Sequence, residues 1–477
     1  AHLGAVGHHA APLGQKLDVS VIGVDAVGGG KIFSHKSRFT EILHRGHANT
    51  LPEELDFLGL LGHVGVEPHP VLPPQICDPF CQSHREVEYH GIPGDDLPPM
   101  TKEQIKEKLN RPYGMKPLRE LARGRKEVAI VFDDITRGTP TQVMAEAVLE
   151  ELHAAGVQRN QIRFLCALGT HGAHTRQQFV QKLGEEICRR YPVYNHNCYD
   201  NCVPIGVTSR GVEVKINKEL MDCDLKIGLG ALTPHVFNSF GGGGKLLFPG
   251  MASIETIVQN HTTAVEYLRE HQLNSTEMMG DLRMEGMRAE IEEMTRMVGE
   301  FFKLDCIYNT RLEPVDLYAG DPIEAYYAGV PAAQRLYRTK RPADKDIVIV
   351  NANAKASEAN IAISLACMGL SPKGGDIVLV DHTSLGQIPH YVFGYFGKNS
   401  GGRMCGRIFR SRPQVRRILC NMPYPDLGSA PLFGDVDKQV YLDSWEETLA
   451  LLEQDYGPGT RVSVIADGTI TYFAREE

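Results

Sequence analysis

No apolar run in this chain approaches the eighteen or more residues that a membrane-spanning helix needs. Nor does the sequence open on a basic stretch followed by an apolar one, so a cytoplasmic location is expected. Positive charge is in short supply. A formal net charge of -9 gives no basic footprint for nucleic acid or an anionic membrane, which leaves small molecules as the expected partners. Cysteine is not arranged as a framework: eleven is an odd number, scattered along the chain, which argues for reduced thiols. The two closest pairs, Cys77/Cys81 and Cys198/Cys202, have C-x-x-x-C spacing rather than the C-x-x-C knuckles usual in four-ligand structural zinc sites.

What is present is an ordinary globular composition on a chain of 477 residues, long enough for at least two domains. Residues 1–84 stand apart. Eight of the nineteen histidines fall before His84, with a GGG run at 28–30 and no sustained period, so a poorly structured or atypical extension is expected. Such a histidine-rich arm also suits nickel or zinc. From residue 85 the rhythm changes. KEVAIVF (126–132) reads as a buried strand, 139–156 as a helix with Thr139 as cap and Pro140 at its first position, and IRFLCAL (162–168) as the next strand. A helix from Thr175 and strands near 192–198 and 223–229 continue the alternation, which means a parallel sheet with helices on its faces. The second half repeats it: a helix at 281–299, strands near 302–309 and 314–319, a helix to about Arg338, then strands in DIVIVNANA and DIVLVDHTS flanking the helix SEANIAISLACMG. The tail adds a helix and two strands. The fold class is therefore α/β, with a catalytic domain over 85–325, a second α/β domain over 326–477, and an active-site cleft between them.

Polar residues gather where such a sheet binds ligands, past the carboxyl ends of its strands. DDITRGTP places Asp133, Asp134, Thr136 and Arg137 after one strand, GTHGAHT places His171 and His174 after the next, and GALTPH places His235 after a third. Singly these could be a helix-capping aspartate, a surface arginine and hydrogen-bonded loop histidines. Convergence on one rim is what suggests a site.

Behind His235 come four glycines, Gly241, Gly242, Gly243 and Gly244, then Lys245 and a helix starting near Ser253. The glycines let backbone N–H groups come close to a flat or anionic ligand. Apolar residues at helical spacing around His261 put that histidine on the inward stripe. A phosphate-binding turn is one reading, though Ser239 stands where a P-loop needs glycine and Leu246 where it needs a hydroxyl. A zinc hydrolase using His171, His235 and His261 is another, and a plain glycine turn before a helix is the third.

Over roughly residues 113–262 the chain resembles the nickel-pincer lactate racemase family, through KPLRELARG, DDITRGTP, ALGTHGAHT, HVFNSFGGGGKLLFPGMAS and QNH in the same order and spacing. The resemblance implies an isomerase, a racemase or epimerase of 2-hydroxy acids working by hydride abstraction and return. Lys245 would carry a nicotinate-derived mononucleotide as a thioamide, its two sulfurs and a ring carbon holding nickel, with His261 as the fourth ligand. His171 and His235 would be the acid/base pair, Arg137 would hold the substrate carboxylate, and Asp134 would orient His171 or the substrate. Proteins that make the cofactor and insert nickel would be partners. Histidine suits the acid/base work because its ordinary pKa lies near neutrality.

The resemblance also reaches a helix of the second domain, where the family presents tyrosine, glutamine and lysine to the substrate. Aligned through Asn360-Ile361 and Met368, this chain has Ala362, Ile363 and Ala366 there. An apolar wall is expected, and with it an acid larger than lactate: one with an apolar side chain against Ile363, or a polyol acid reaching Lys355 and Glu358.

Overall fold

A computed structural model of the chain describes residues 86–272, 279–280, 285–392 and 409–473. The expected extension over residues 1–84, its histidines and the Cys77/Cys81 pair lie outside the described residues. Two six-stranded sheets organise the rest. The strands that build them are β1 (Glu86–His90), β2 (Val128–Asp133), β3 (Ile162–Ala167), β4 (Val193–Asn195), β5 (Leu225–Ala231), β6 (Phe302–Tyr308), β7 (Pro314–Gly320), β8 (Ile347–Asn351), β9 (Gly375–Val380), β10 (Val415–Asn421), β11 (Gln439–Leu442) and β12 (Arg461–Ile465).

The first sheet runs β7-β6-β5-β2-β3-β4, parallel except for the β6/β7 pair. Every residue of β2 is buried, as a strand covered on both faces requires. Ile130 and Phe132 face one layer, with Met144, Ala145 and Val148 of helix α1 (Thr141–Ala154). Ala129 and Val131 face the other, with Leu247, Phe248, Met251 and Ile257. That second layer contains α2 (Ile254–Glu270), which Ser253 caps by accepting from Thr256 N–H, and α3 (Glu285–Val298). The helix expected from Thr139 starts later: Pro140 is its N-cap, and the Thr139 hydroxyl donates to Asp133 instead.

The second sheet runs β1-β12-β8-β9-β10-β11 and is parallel throughout. Val348, Val350, Ile377 and Leu379 pack on α5 (Asn360–Ala366), and Ile347, Ile349, Val378 and Val462 on the opposite side with Leu452. The expected domain limits meet two features. Strand β1 belongs to this sheet, as an edge partner of β12, and α4 (Glu324–Tyr337) runs through the 325/326 limit while packing on the first sheet. Strands β10 and β11 lie in a region given no strands by pattern. Arg416 and Arg417 interrupt the apolar run of β10 because both pair with the fully buried Asp376 of β9. No helix among the described residues is long and apolar enough to cross a membrane.

Candidate active site

A cavity of about 480 Å³ is lined by the exit loops of both sheets. From the first come Asp134 and Arg137 after β2, His171 after β3, His235 after β5, then Gly241, Gly242, Lys245 and His261. All six chemical side chains named from the sequence thus share one wall. From the second come Lys355 and Glu358, in the turn after β8, with Asn360, Ser364 and His390.

The loop after β2 folds on its own aspartate. Asp134 Oδ1 accepts from the Thr136 N–H at 3.0 Å and from its hydroxyl, and Oδ2 accepts from His171 Nδ1. Burial pushes the Asp134 carboxyl up, but the His171 and Arg137 charges outweigh it and hold it far below the usual carboxylate range. An ionised carboxylate only accepts, so His171 carries a proton on Nδ1 and turns Nε2 toward the cavity. His174, one turn on, is spent on structure: its Nε2 accepts from Ile135 N–H at 2.8 Å. Asp133 is bound by the buried Lys182 at 2.9 Å and lends its charge to the loop.

His235 shows the opposite tautomer. Phe237 N–H donates to its Nδ1 at 3.1 Å, so in the neutral ring Nε2 bears the proton, and Nε2 lies 2.8 Å from Lys245 Nζ. For that bond to form Lys245 must be an unprotonated amine with a lone pair. Burial, then the Arg137 charge, pushes its pKa well below the usual range for lysine. Burial and Lys245 do the same to His235. In His261, on the inward face of α2, Nδ1–H donates to Ile257 C=O at 2.9 Å, leaving Nε2 as the nitrogen with the lone pair. Burial lowers its pKa to about 4. A neutral lysine nucleophile and a neutral, oriented imidazole fit a group tethered at Lys245 and ligated at His261.

The four glycines divide. Gly241 and Gly242 line the cavity, whereas Gly243 and Gly244 lie behind it. A Cβ on Gly244 would meet Thr295 Oγ1 at 1.9 Å, and Gly242 and Gly243 have φ of +83° and +58°. The Gly243 N–H donates to the buried Asp305 at 2.7 Å, and Asp305 is paired with the buried Lys303. Arg288 of α3 donates to Phe240 C=O at 2.6 Å and Gly242 C=O at 3.3 Å. The anion next to this turn is therefore the protein's own, which removes the support for a phosphate-binding turn. The three-histidine zinc reading also loses its geometry: among the described residues no three His, Cys, Asp or Glu side chains come together closely enough to hold a metal. Cys202 Sγ lies near the carbonyls of Asn197 and Asp200.

The expected apolar wall is not where the alignment put it. Ala362, Ile363 and Ala366 point into the core between α5 and its sheet, and a Cβ on Gly468 would meet Ala362 Cβ at 3.0 Å. The face of α5 toward the cavity carries Asn360, Ile361 and Ser364. Glu358 pairs with Arg137 and lies 3.9 Å from His171 Nε2. Burial pushes its carboxyl up, but Arg137, His171 and Lys355 hold it below the usual range. Lys355 donates to Pro234 C=O at 3.2 Å, beside His235, and burial together with Arg137 lowers its pKa to about 7. His390 was not singled out from the sequence. Its ring centroid lies 5.2 Å from that of His171 and 6.5 Å from that of His261. Tyr391 N–H donates to Thr170 C=O at 2.8 Å, which ties this loop to that of His171. Carrying the strand-end rule on past β9 to Gln387 and His390 would have found it.

Residues 89–272 match the family described as the lactate racemase N-terminal domain. The chain is 27% identical over 281 residues to a lactate racemase of Thermoanaerobacterium thermosaccharolyticum, a stretch covering 58% of this chain and 64% of that protein. It is 28% identical over 285 residues to one of Lactiplantibacillus plantarum, covering 58% and 65%. The chain thus spans just under two thirds of the length of these relatives. In fold it is similar to the lactate racemase apoprotein of T. thermosaccharolyticum, with a TM-score of 0.59 at 19% identity over 83% of this chain and 96% of the other. A crystal structure of a Thermotoga maritima protein gives the same TM-score and identity over 79% and 99%. Asp134, Arg137, His171, His235, Lys245 and His261 all lie inside the stretch that is similar to the lactate racemase N-terminal domain, and all line one cavity.

Proposed function

We propose that this protein is a racemase or epimerase of a 2-hydroxy acid, using a nickel-pincer nucleotide joined to Lys245 and ligated by His261. The observation that carries the reading is the Lys245 amine, buried and 2.8 Å from His235 Nε2, with burial and the Arg137 charge pushing its pKa well below the usual lysine range. A lysine so shifted is a nucleophile rather than a counter-ion. Bound there, the nucleotide supplies an acceptor for the hydrogen and electron pair at C2, chemistry that no side chain provides.

The chain's own residues do the rest. Arg137 bonds Glu358 through Nη1, and its remaining N–H groups can fork onto a substrate carboxylate, fixing orientation as well as charge. His171 presents a lone pair on Nε2 and accepts the C2 hydroxyl proton, with Asp134 stabilising the imidazolium that forms. His235 is the second acid/base ring, serving the return step when it carries a second proton and exchanging roles with His171 for the opposite enantiomer. The cavity is of a size that admits a tethered nucleotide beside a small acid.

The test is the mass of the Lys245 peptide from protein made together with nickel and the cofactor-synthesis and nickel-insertion machinery. An adduct is expected on Lys245, absent from Lys245→Ala, with chiral chromatography showing a 2-hydroxy acid inverted only by the loaded protein. Unmodified Lys245 under those conditions would overturn the proposal.

A further inference from the structure

Resting on that reading of the site, we infer that its substrate is a polyhydroxylated monocarboxylic acid of about five or six carbons, and that Glu358 selects it. The rest of the acid lies against the groups that the second sheet adds to the cavity, the turn after β8 and the cavity-facing side of α5. That wall carries a carboxylate, an ammonium, an amide and a hydroxyl: Glu358, Lys355, Asn360 and Ser364.

Glu358 leaves most of its hydrogen-bonding capacity toward the cavity. One oxygen is on Arg137, and the other has only His171 Nε2 at 3.9 Å, while a carboxylate offers about four lone-pair sites. Lys355 spends one of its three donors on Pro234 C=O. Ser364 donates to Asn360 C=O at 2.9 Å, so its oxygen is left to accept. These groups discriminate among side chains at C3 and beyond. An apolar side chain laid on them strips water from a carboxylate and an ammonium and returns no bond. A second carboxylate meets Glu358 as a like charge. A row of hydroxyls donates to Glu358 and accepts from Lys355 and Asn360, satisfying both signs with a neutral substituent. Arg137 is shared between Glu358 and the C1 carboxylate.

The experiment measures dissociation constants by calorimetry for a six-carbon polyhydroxy acid, lactate, malate and 2-hydroxyisocaproate on the wild-type protein, Glu358→Gln and Glu358→Ala, each checked for an unchanged melting temperature. Loss of C2 stereochemistry is followed in parallel on loaded protein. The polyhydroxy acid is expected to bind about ten- to hundredfold more tightly than lactate, as charge-assisted hydrogen bonds to a buried carboxylate allow. That advantage is expected to fall about tenfold or more in Glu358→Ala and less in the isosteric Glu358→Gln. If Glu358 is only a stand-in for the substrate carboxylate on Arg137, its removal tightens every acid by one common factor and leaves the ratios alone, and the inference fails. It fails too if lactate, malate or the apolar acid binds best, even though that acid is inverted and the broader reading stands. If loaded protein inverts no 2-hydroxy acid at all, the broader reading fails and takes this one with it.

Discussion

The two rims of the cavity are built differently. On the first, each reactive side chain is pinned by a group a few residues away or on the neighbouring strand end: His171 by Asp134, His235 by Phe237 N–H, His261 by Ile257 C=O. Each tautomer is thereby set before any ligand arrives, as catalysis by preorganised groups requires. On the second, Lys355, Glu358 and Asn360 face the cavity from a short turn and a seven-residue helix, and the partners of Lys355 and Glu358 lie on the first rim. The family match, residues 89–272, ends before the second rim begins. One sheet holds its cavity groups on local partners, and the other presents groups whose partners lie across the cavity.

The sharpest way to break that contrast is Asp134→Asn. An amide cannot hold His171 in the same tautomer while accepting from Thr136, and inversion should slow by about 10³- to 10⁴-fold with little change in melting temperature. A loss under tenfold would remove His171 from its role as base. Next in size, Lys182→Met should leave Asp133 buried without its cation, costing about 3–5 kcal/mol by urea unfolding. Were the loss below about 1 kcal/mol, the first rim would not owe its rigidity to that pair.

Lys355 sharpens the comparison through pH. Its pKa is lowered from the ordinary lysine value to about 7, so it is charged below that pH and neutral above. Bound acid favours the charged form. Affinity should therefore be highest below pH 7 and fall above it, at most about tenfold per unit, and Lys355→Met should flatten the profile. The stability sign is separate: between about 7 and 10.5 the unfolded chain binds this proton more tightly than the folded one, so folding should gain as pH rises through that window. Calorimetry and melting between pH 6 and 9 measure both. The smallest effect expected is in α5. Ser364→Ala should change the ranking of acids several-fold, whereas Ala366→Ser should leave the ranking alone and cost about 1–3 kcal/mol for a buried hydroxyl. The reverse pattern would restore the wall read from the sequence.

Much of the first rim was legible because local rules wrote it. Strand, polar turn and helix repeat there at short range, and the spacing of Ile254, Ile257 and His261 gave the inward face of α2 directly. The glycine arc was misread in part because what meets it is distant: Asp305 and Thr295 come from elements forty or more residues on, and no local pattern announces them. In α5 the alignment rested on Asn360-Ile361 and Met368 alone, and on a helix each step turns the side chain by about 100°. A shift of one or two positions exchanges the cavity face for the core face. Strand β10 hid behind Arg416 and Arg417, whose partner Asp376 is on another strand.

The pairing of β1 with β12 has a consequence in time. Glu86 lies opposite Arg461 and His90 opposite Ile465, so this strand is made long before its partner. At synthesis rates of about 5–20 residues per second, that edge waits on the order of half a minute for its neighbour. The strand it waits for also borders β8, whose exit turn bears Lys355 and Glu358. A nascent chain released before Arg461 would then leave one side of β8, whose exit turn lines the cavity, open to pairing with other chains.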